Sequence, residues 1–143
     1  MPMRVAKIAV SAATYSIDRP FDYLIPEELS DSVLIGTRVM VPFGRGNRRS
    51  EGIVIGFAED SEWDNLKSVE RVLDERPVLD EEQLKLAFFI RDRFFCTVYE
   101  AVKIMLPAGL WFTDDGKRRV NDKTLEMVKL AMLPEDAAEI AEN

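Results

Sequence analysis

The chain has 143 residues, 47% of them hydrophobic and 31% charged, a balance that supports a buried core and excludes a disordered chain. It holds no histidine and one cysteine, Cys96, which removes histidine-based triads, His/Cys zinc sites and any internal disulfide. The net charge of −7 speaks against coating a long duplex, yet seven Lys and Arg offset six Asp and Glu over residues 1–57, against twelve and twenty beyond.

The first segment, "MPMRVAKIAVSAA", is too short and too charged for a signal peptide, and no stretch reaches the length of a membrane span. A cytoplasmic location with no membrane partner is expected. Within it "VAKIAVSA" reads as a strand, with Ala6, Ile8 and Val10 on one face and Val5, Lys7 and Ala9 on the other. "PFDYLIP" is a second short strand between two prolines, and alternation sends Phe21 and Tyr23 to one face and Asp22 to the other. "GTRVMVPFG" directs Val39, Val41 and Phe43 one way and Arg38, Met40 and Pro42 the other. With "EGIVIGFAE" it forms a hairpin of strands near 37–43 and 51–58, joined by the loop "GRGNRRS". "NLKSVERVLD" fits either a strand or a short helix. Several short strands within about 75 residues point to a small closed or half-closed barrel of OB-like or SH3-like type.

Helices follow. Asp80 and Gln83 have capping-box spacing ahead of "EEQLKLAFFIRDRFF", where Leu84, Ala87, Phe88, Arg91 and Phe94/Phe95 form one stripe. Thr97 caps a second helix, "VYEAVKIML", stopped by Pro107 and Gly109. Cys96 lies among apolar residues and reads as a packed thiol. From Leu110 the chain turns polar, then opens elements that read as the beginning of a further domain.

No catalytic constellation is present. "GRGNRRSEG" is not a phosphate-binding loop, the carboxylate pairs Glu81/Glu82 and Asp114/Asp115 sit in polar runs, and no nucleophile has a base beside it. The segment itself reads as a non-enzyme. Small barrels bind single strands by aromatic stacking and a few cations, and the parts available are Phe21, Tyr23, Phe43, Arg45, Arg48, Arg49 and Lys67. Core packing for the rings, and an exposed hairpin tip for the arginines, account for the same residues without any ligand.

Four segments taken together resemble one family. "FDYLIPEEL", "GTRVMVPFGRGNRRSEGIVIGF", "LKSVERVLDERPVLDEEQLKLAFFIRDRFF" and "IMLPAGL" are similar, in order and spacing, to the N-terminal 3′ DNA-binding domain of the PriA family of primosomal replication-restart helicases. The resemblance covers roughly residues 4–110. It implies an α+β fold: a small OB-like β-barrel over about 1–75, appended helices over about 76–109, and over 110–143 a linker and the truncated start of a winged-helix domain. It implies capture of the 3′-OH end of a nascent leading strand at a stalled fork. The aspartate of the "FDY" motif, Asp22, accepts the hydroxyl. Phe21 and Tyr23 shape the pocket, Gly44 lets the backbone approach the base, and Arg45 and Lys67 supply cations. Arg48 and Arg49 are added as further DNA contacts. The family's whole chain is an ATP-dependent 3′–5′ helicase using ATP, magnesium and zinc, none of which this segment is expected to hold. Expected partners are DNA 3′ ends, forked DNA and the rest of the helicase chain, with other primosome proteins beside them. The competing reading is a protein-interaction module that docks on primosome partners or the helicase core through the acidic, helical part.

Overall fold

A computed structural model describes residues 4–107 of the chain, and the expected start of a winged-helix domain lies outside the described residues. Five strands, β1 (Val5–Val10), β2 (Phe21–Leu24), β3 (Arg38–Phe43), β4 (Arg48–Ala58) and β5 (Arg71–Val72), form an antiparallel sheet in the order β2-β1-β4-β3-β5. Segment 67–73, which the sequence left between strand and helix, is extended and joins the two edges of the sheet. On one side Leu24 donates to the Lys67 carbonyl and accepts from the Val69 amide, at 2.9 and 3.0 Å. On the other, the Glu70 and Leu73 amides reach the carbonyls of Met40 and Arg38, both at 2.9 Å. The fold is α+β with an OB-like barrel, as expected.

Alternation places the core. Ala6, Ile8 and Val10 of β1 meet Tyr23, Val39, Val41 and Val54 inside the barrel, with Phe21 and Phe43 packed at its margin. The register of β1 on β4 slips between Lys7 and Ile8, which face Gly56 and Val54, and this lets one long strand bend around the barrel. The hairpin differs from expectation in one respect. Its loop is only the four residues 44–47, and Arg48, Arg49 and Ser50 already pair with Phe43, Pro42 and Val41. Left-handed backbone at Gly44 (φ +71°) and Asn47 (φ +47°) closes so short a connection.

The second face of the sheet is covered rather than solvated. The helices α1 (Glu81–Phe94) and α2 (Val98–Met105) start on the expected caps: Asp80 in its capping box with Gln83, and Thr97, which the structure shows in a second box with Glu100. Leu84, Ala87, Tyr99, Ala101 and Val102 pack on Ala9 and Ile53. At Gly36 (φ +86°) a Cβ would stand 1.9 Å from the Leu79 carbonyl oxygen, so only glycine lets the segment leading to α1 lie against the barrel. The Asp18 carboxylate accepts from the Val98 amide at 3.2 Å, tying the approach to β2 onto the start of α2. Burial raises its pKa despite that hydrogen bond and the nearby Arg91.

Covering this face buries a charge that alternation alone assigned simply to the side away from the barrel core. The Arg38 side chain is 1% exposed; its Nε donates to Asp74 Oδ2 at 2.8 Å and its Nη1 lies 3.5 Å from Glu51 Oε1. Asp74 closely follows β5, so this buried pair pins the closing segment to β3. The end of the α1 stripe also departs from expectation. Phe95 turns into left-handed backbone (φ +54°) to end the helix, leaving Phe94 and Phe95 exposed, the latter edge-on to Tyr15 at 6.4 Å. Among the described residues no helix is long and apolar enough to cross a membrane.

Candidate nucleic-acid interface

Pairing of β1 with β2 sets Lys7 opposite Asp22. Each is the one charge in an otherwise apolar strand, and both point away from the barrel core. The Lys7 ammonium donates to Asp22 Oδ1 at 3.0 Å, and the Ser61 hydroxyl, from the loop after β4, donates to Oδ2 at 2.6 Å. The Asp22 side chain is only 10% exposed. Burial acts to raise its pKa, but the hydrogen bonds from Ser61 and Lys7 and the lysine charge outweigh it and hold the carboxyl below the ordinary value of 3.8.

The sign of this shift fixes a pH dependence. A carboxylate whose folded pKa is depressed contributes stability that is present above its unfolded value and lost as pH falls through the folded one. Asp22 therefore stays an ionised acceptor across the neutral range. Any binding that relies on it is expected to be flat across the neutral range and to be lost only in acid, as pH falls through a folded value depressed below the ordinary 3.8. Titration of oligonucleotide affinity against pH measures this; a midpoint near neutrality would assign the dependence to another group.

Asp22 belongs to a cleft of about 820 Å³ whose lining also includes Phe21, Tyr23, Gly44 and Lys67. Five of the six residues marked for the strand end thus converge on one concavity. The Phe21 ring meets Phe43 edge to face at 5.1 Å and forms an apolar wall. Tyr23 is buried, its hydroxyl donates to the Pro42 carbonyl at 2.9 Å, and burial pushes its pKa up to about 12. It supports the wall from within as a neutral phenol. The Lys67 ammonium bonds the carbonyl of Gly44, so the hairpin and the closing segment meet at this cleft.

Gly44 has positive φ, and a Cβ there would meet nothing within 4 Å. The glycine answers the backbone conformation and leaves open space, with no close packing inside the chain. Gly44→Ala is expected to cost about 1–2 kcal/mol of stability through left-handed strain alone. Its loss of oligonucleotide affinity should be about tenfold if a base approaches this backbone. Urea unfolding beside binding titrations separates the two effects.

The arginines are placed differently. Arg45 is exposed in the four-residue turn and does not line the cleft, Arg48 is exposed at the start of β4, and Arg49 pairs with Glu70 at 3.0 Å. Sequence reasoning passed over Lys7, Arg19, Ser61 and Trp63, all of which line the cleft. For Lys7 a signal existed, since its lone charge sits in an apolar strand. Ser61 lies 39 positions from Asp22 in a polar loop, and only the closed barrel brings them together.

Comparison with known proteins places the chain in a family. The family model of the PriA 3′ DNA-binding domain (3′BD) matches residues 7–107. The replication restart protein PriA of Bacillus subtilis is 40% identical over 110 residues, covering 76% of this chain and 13% of that protein. That of Chlamydia muridarum is 29% identical over 135 residues, 87% of this chain and 18% of the relative. The probable replication restart protein PriA of Mycobacterium tuberculosis is 34% identical over 93 residues, 64% and 14% respectively. The chain spans less than a fifth of the length of these relatives. Matched across most of its described residues, with its marked side chains gathered in one cleft, the chain belongs to the family of PriA 3′ DNA-binding domains.

Proposed function

We propose that this domain captures the free 3′-hydroxyl end of a DNA strand at a fork, with Asp22 as the acceptor of that hydroxyl. One observation carries the reading: an ionised carboxylate is recessed in the cleft of a DNA-binding domain, between an apolar wall and two lysines. A carboxylate repels phosphate and is ill suited to a general DNA groove. A hydroxyl, however, donates to it with charge-assisted strength of about 1.5–3 kcal/mol. A continuing strand would set a phosphodiester against Asp22 and be rejected. Phe21 offers the apolar wall for the last nucleotide, Gly44 the open approach and Lys67 a nearby cation. Arg45, Arg48 and Arg49 sit at the hairpin tip, where they would meet the backbone of longer or branched DNA. The domain would do this without a cofactor of its own, delivering the end to the ATP-driven remainder of a replication restart helicase.

Competition between a linear oligonucleotide ending in 3′-OH and a circular single strand of the same composition tests the reading. The linear strand is expected to compete at least about tenfold better. Equal competition would contradict it.

One observation favours a second role beside the first. Phe89, Phe94 and Phe95 of α1 and its cap are 61%, 67% and 79% exposed, and a surface of this kind suits docking onto the rest of the helicase chain. Serine at Phe94 and Phe95 would then weaken association with the remainder of that chain and leave oligonucleotide binding intact. Loss of DNA binding in the same variant would speak against separate roles.

A further inference from the structure

The loop that carries Ser61 also carries an aromatic ring that the expected site did not include. Trp63 is 58% exposed, yet it lines the same cleft as Asp22. Its placement is not loose. The Trp63 amide donates to Ser61 Oγ at 3.3 Å, and that hydroxyl donates to Asp22 Oδ2, so one hydroxyl separates the ring's backbone from the carboxylate. The Arg19 guanidinium lies 5.6 Å from the Trp63 ring centroid and 5.7 Å from that of Phe21, bridging the two rings at the edge of the cleft. An exposed indole fixed beside a guanidinium is a stacking surface with a phosphate-binding cation next to it.

A strand whose last nucleotide sits at Asp22 has to leave the cleft past neighbouring groups. Resting on the reading above, we propose that Trp63 and Arg19 form a second-nucleotide subsite. Trp63 stacks on the base next to the strand end, and Arg19 binds the phosphodiester between the last two nucleotides. The ligand class is therefore a single-stranded polynucleotide of at least two residues, with its penultimate base unpaired. Every base presents a flat face, so the subsite reads strandedness and not sequence. It discriminates against an end whose last two residues are both held in a duplex, where the penultimate base is already stacked and paired.

The test uses 5′-fluorescein-labelled octathymidylate ending in 3′-OH, and the same oligonucleotide with an abasic residue next to the end, read by anisotropy with the 143-residue chain. Wild-type protein is expected to lose about tenfold in affinity when that base is removed, and Trp63→Ala to bind both probes alike at the weaker level. Trp63→Phe should keep part of the discrimination, which excludes a folding defect as its cause. Arg19→Gln should reduce the slope of log K against log salt by about 0.7, the share of one phosphate on a single strand. An abasic probe that binds wild type as well as the intact one overturns the subsite. So does an abasic penalty unchanged in Trp63→Ala. A third probe, octathymidylate 3′-phosphate, separates the two proposals. If wild type still prefers the hydroxyl while Trp63 has no effect, only the subsite fails. If the hydroxyl preference itself is missing, the reading at Asp22 fails and takes the subsite with it.

Discussion

Arg38→Met is expected to destabilise the domain by about 3–5 kcal/mol, the usual effect of removing one partner from a buried ion pair. Arg38 is 1% exposed, and its guanidinium serves both Asp74 and Glu51, whose side chains are 10% and 7% exposed. Burial acts against the charged guanidinium, but the hydrogen bond and charge of Asp74, then the charge of Glu51, outweigh it and raise its pKa. Methionine would fill much of the volume while leaving two carboxylates in a poorly hydrated place without their cation. The consequence reaches the cleft, because Asp74 holds the closing segment that carries Lys67. A fall of at least about 10 °C in the melting temperature should accompany the change. The triple replacement Arg38→Met, Glu51→Gln, Asp74→Asn is expected to recover a substantial share, since it removes the orphaned charges. Urea unfolding followed by circular dichroism measures both. A loss under about 1 kcal/mol in Arg38→Met would mean that water reaches the pair and that it does not hold the barrel shut.

Asp22→Ala is expected to act on recognition far more than on stability. Its partner Lys7 is 41% exposed and stays hydrated once the pair is lost, so no cation is left stranded away from water and the cost to folding is small. Toward DNA the same substitution removes the charged acceptor for the terminal hydroxyl, so affinity for a 3′-OH oligonucleotide should fall by about 10- to 100-fold. It also releases the Lys7 ammonium, now unpaired at the cleft. Affinity for a 3′-phosphate oligonucleotide should therefore rise, and the order of preference invert. Asp22→Asn keeps the shape and a neutral acceptor, and should fall between the two. Anisotropy titrations of the three proteins against the two ends check this. A uniform loss on both probes in Asp22→Ala would indicate a collapsed cleft instead of a lost acceptor.

Much of this architecture was legible in the chain because period-2 alternation decides which side of a strand is buried. Val39, Val41 and Phe43, and likewise Ala6, Ile8 and Val10, face the barrel core as their spacing predicts. Capping residues announced both helix starts, because an unsatisfied first turn needs an acceptor at a fixed distance. Which segment closes the barrel was not legible. It rests on backbone hydrogen bonds of segment 67–73 to two strands distant in sequence, and backbone amides carry no sequence signature. The same holds for Arg38, whose partners lie 13 and 36 positions away, and whose burial follows only once the helices cover the outer face. At the cleft, the acid between two aromatics drew attention to Asp22. What surrounds it came from strand register for Lys7, and from a loop of no local pattern for Ser61 and Trp63.

The decisive comparison is wild-type affinity for two short single strands, identical except that one ends in 3′-OH and the other in 3′-phosphate. Recognition of the strand end by a recessed, ionised Asp22 predicts a preference for the hydroxyl of about tenfold or more near neutral pH, lost in Asp22→Ala. Equal affinity for the two ends, in wild type as in Asp22→Ala, would contradict it and leave Asp22 as no more than the outward-facing charge of an edge strand.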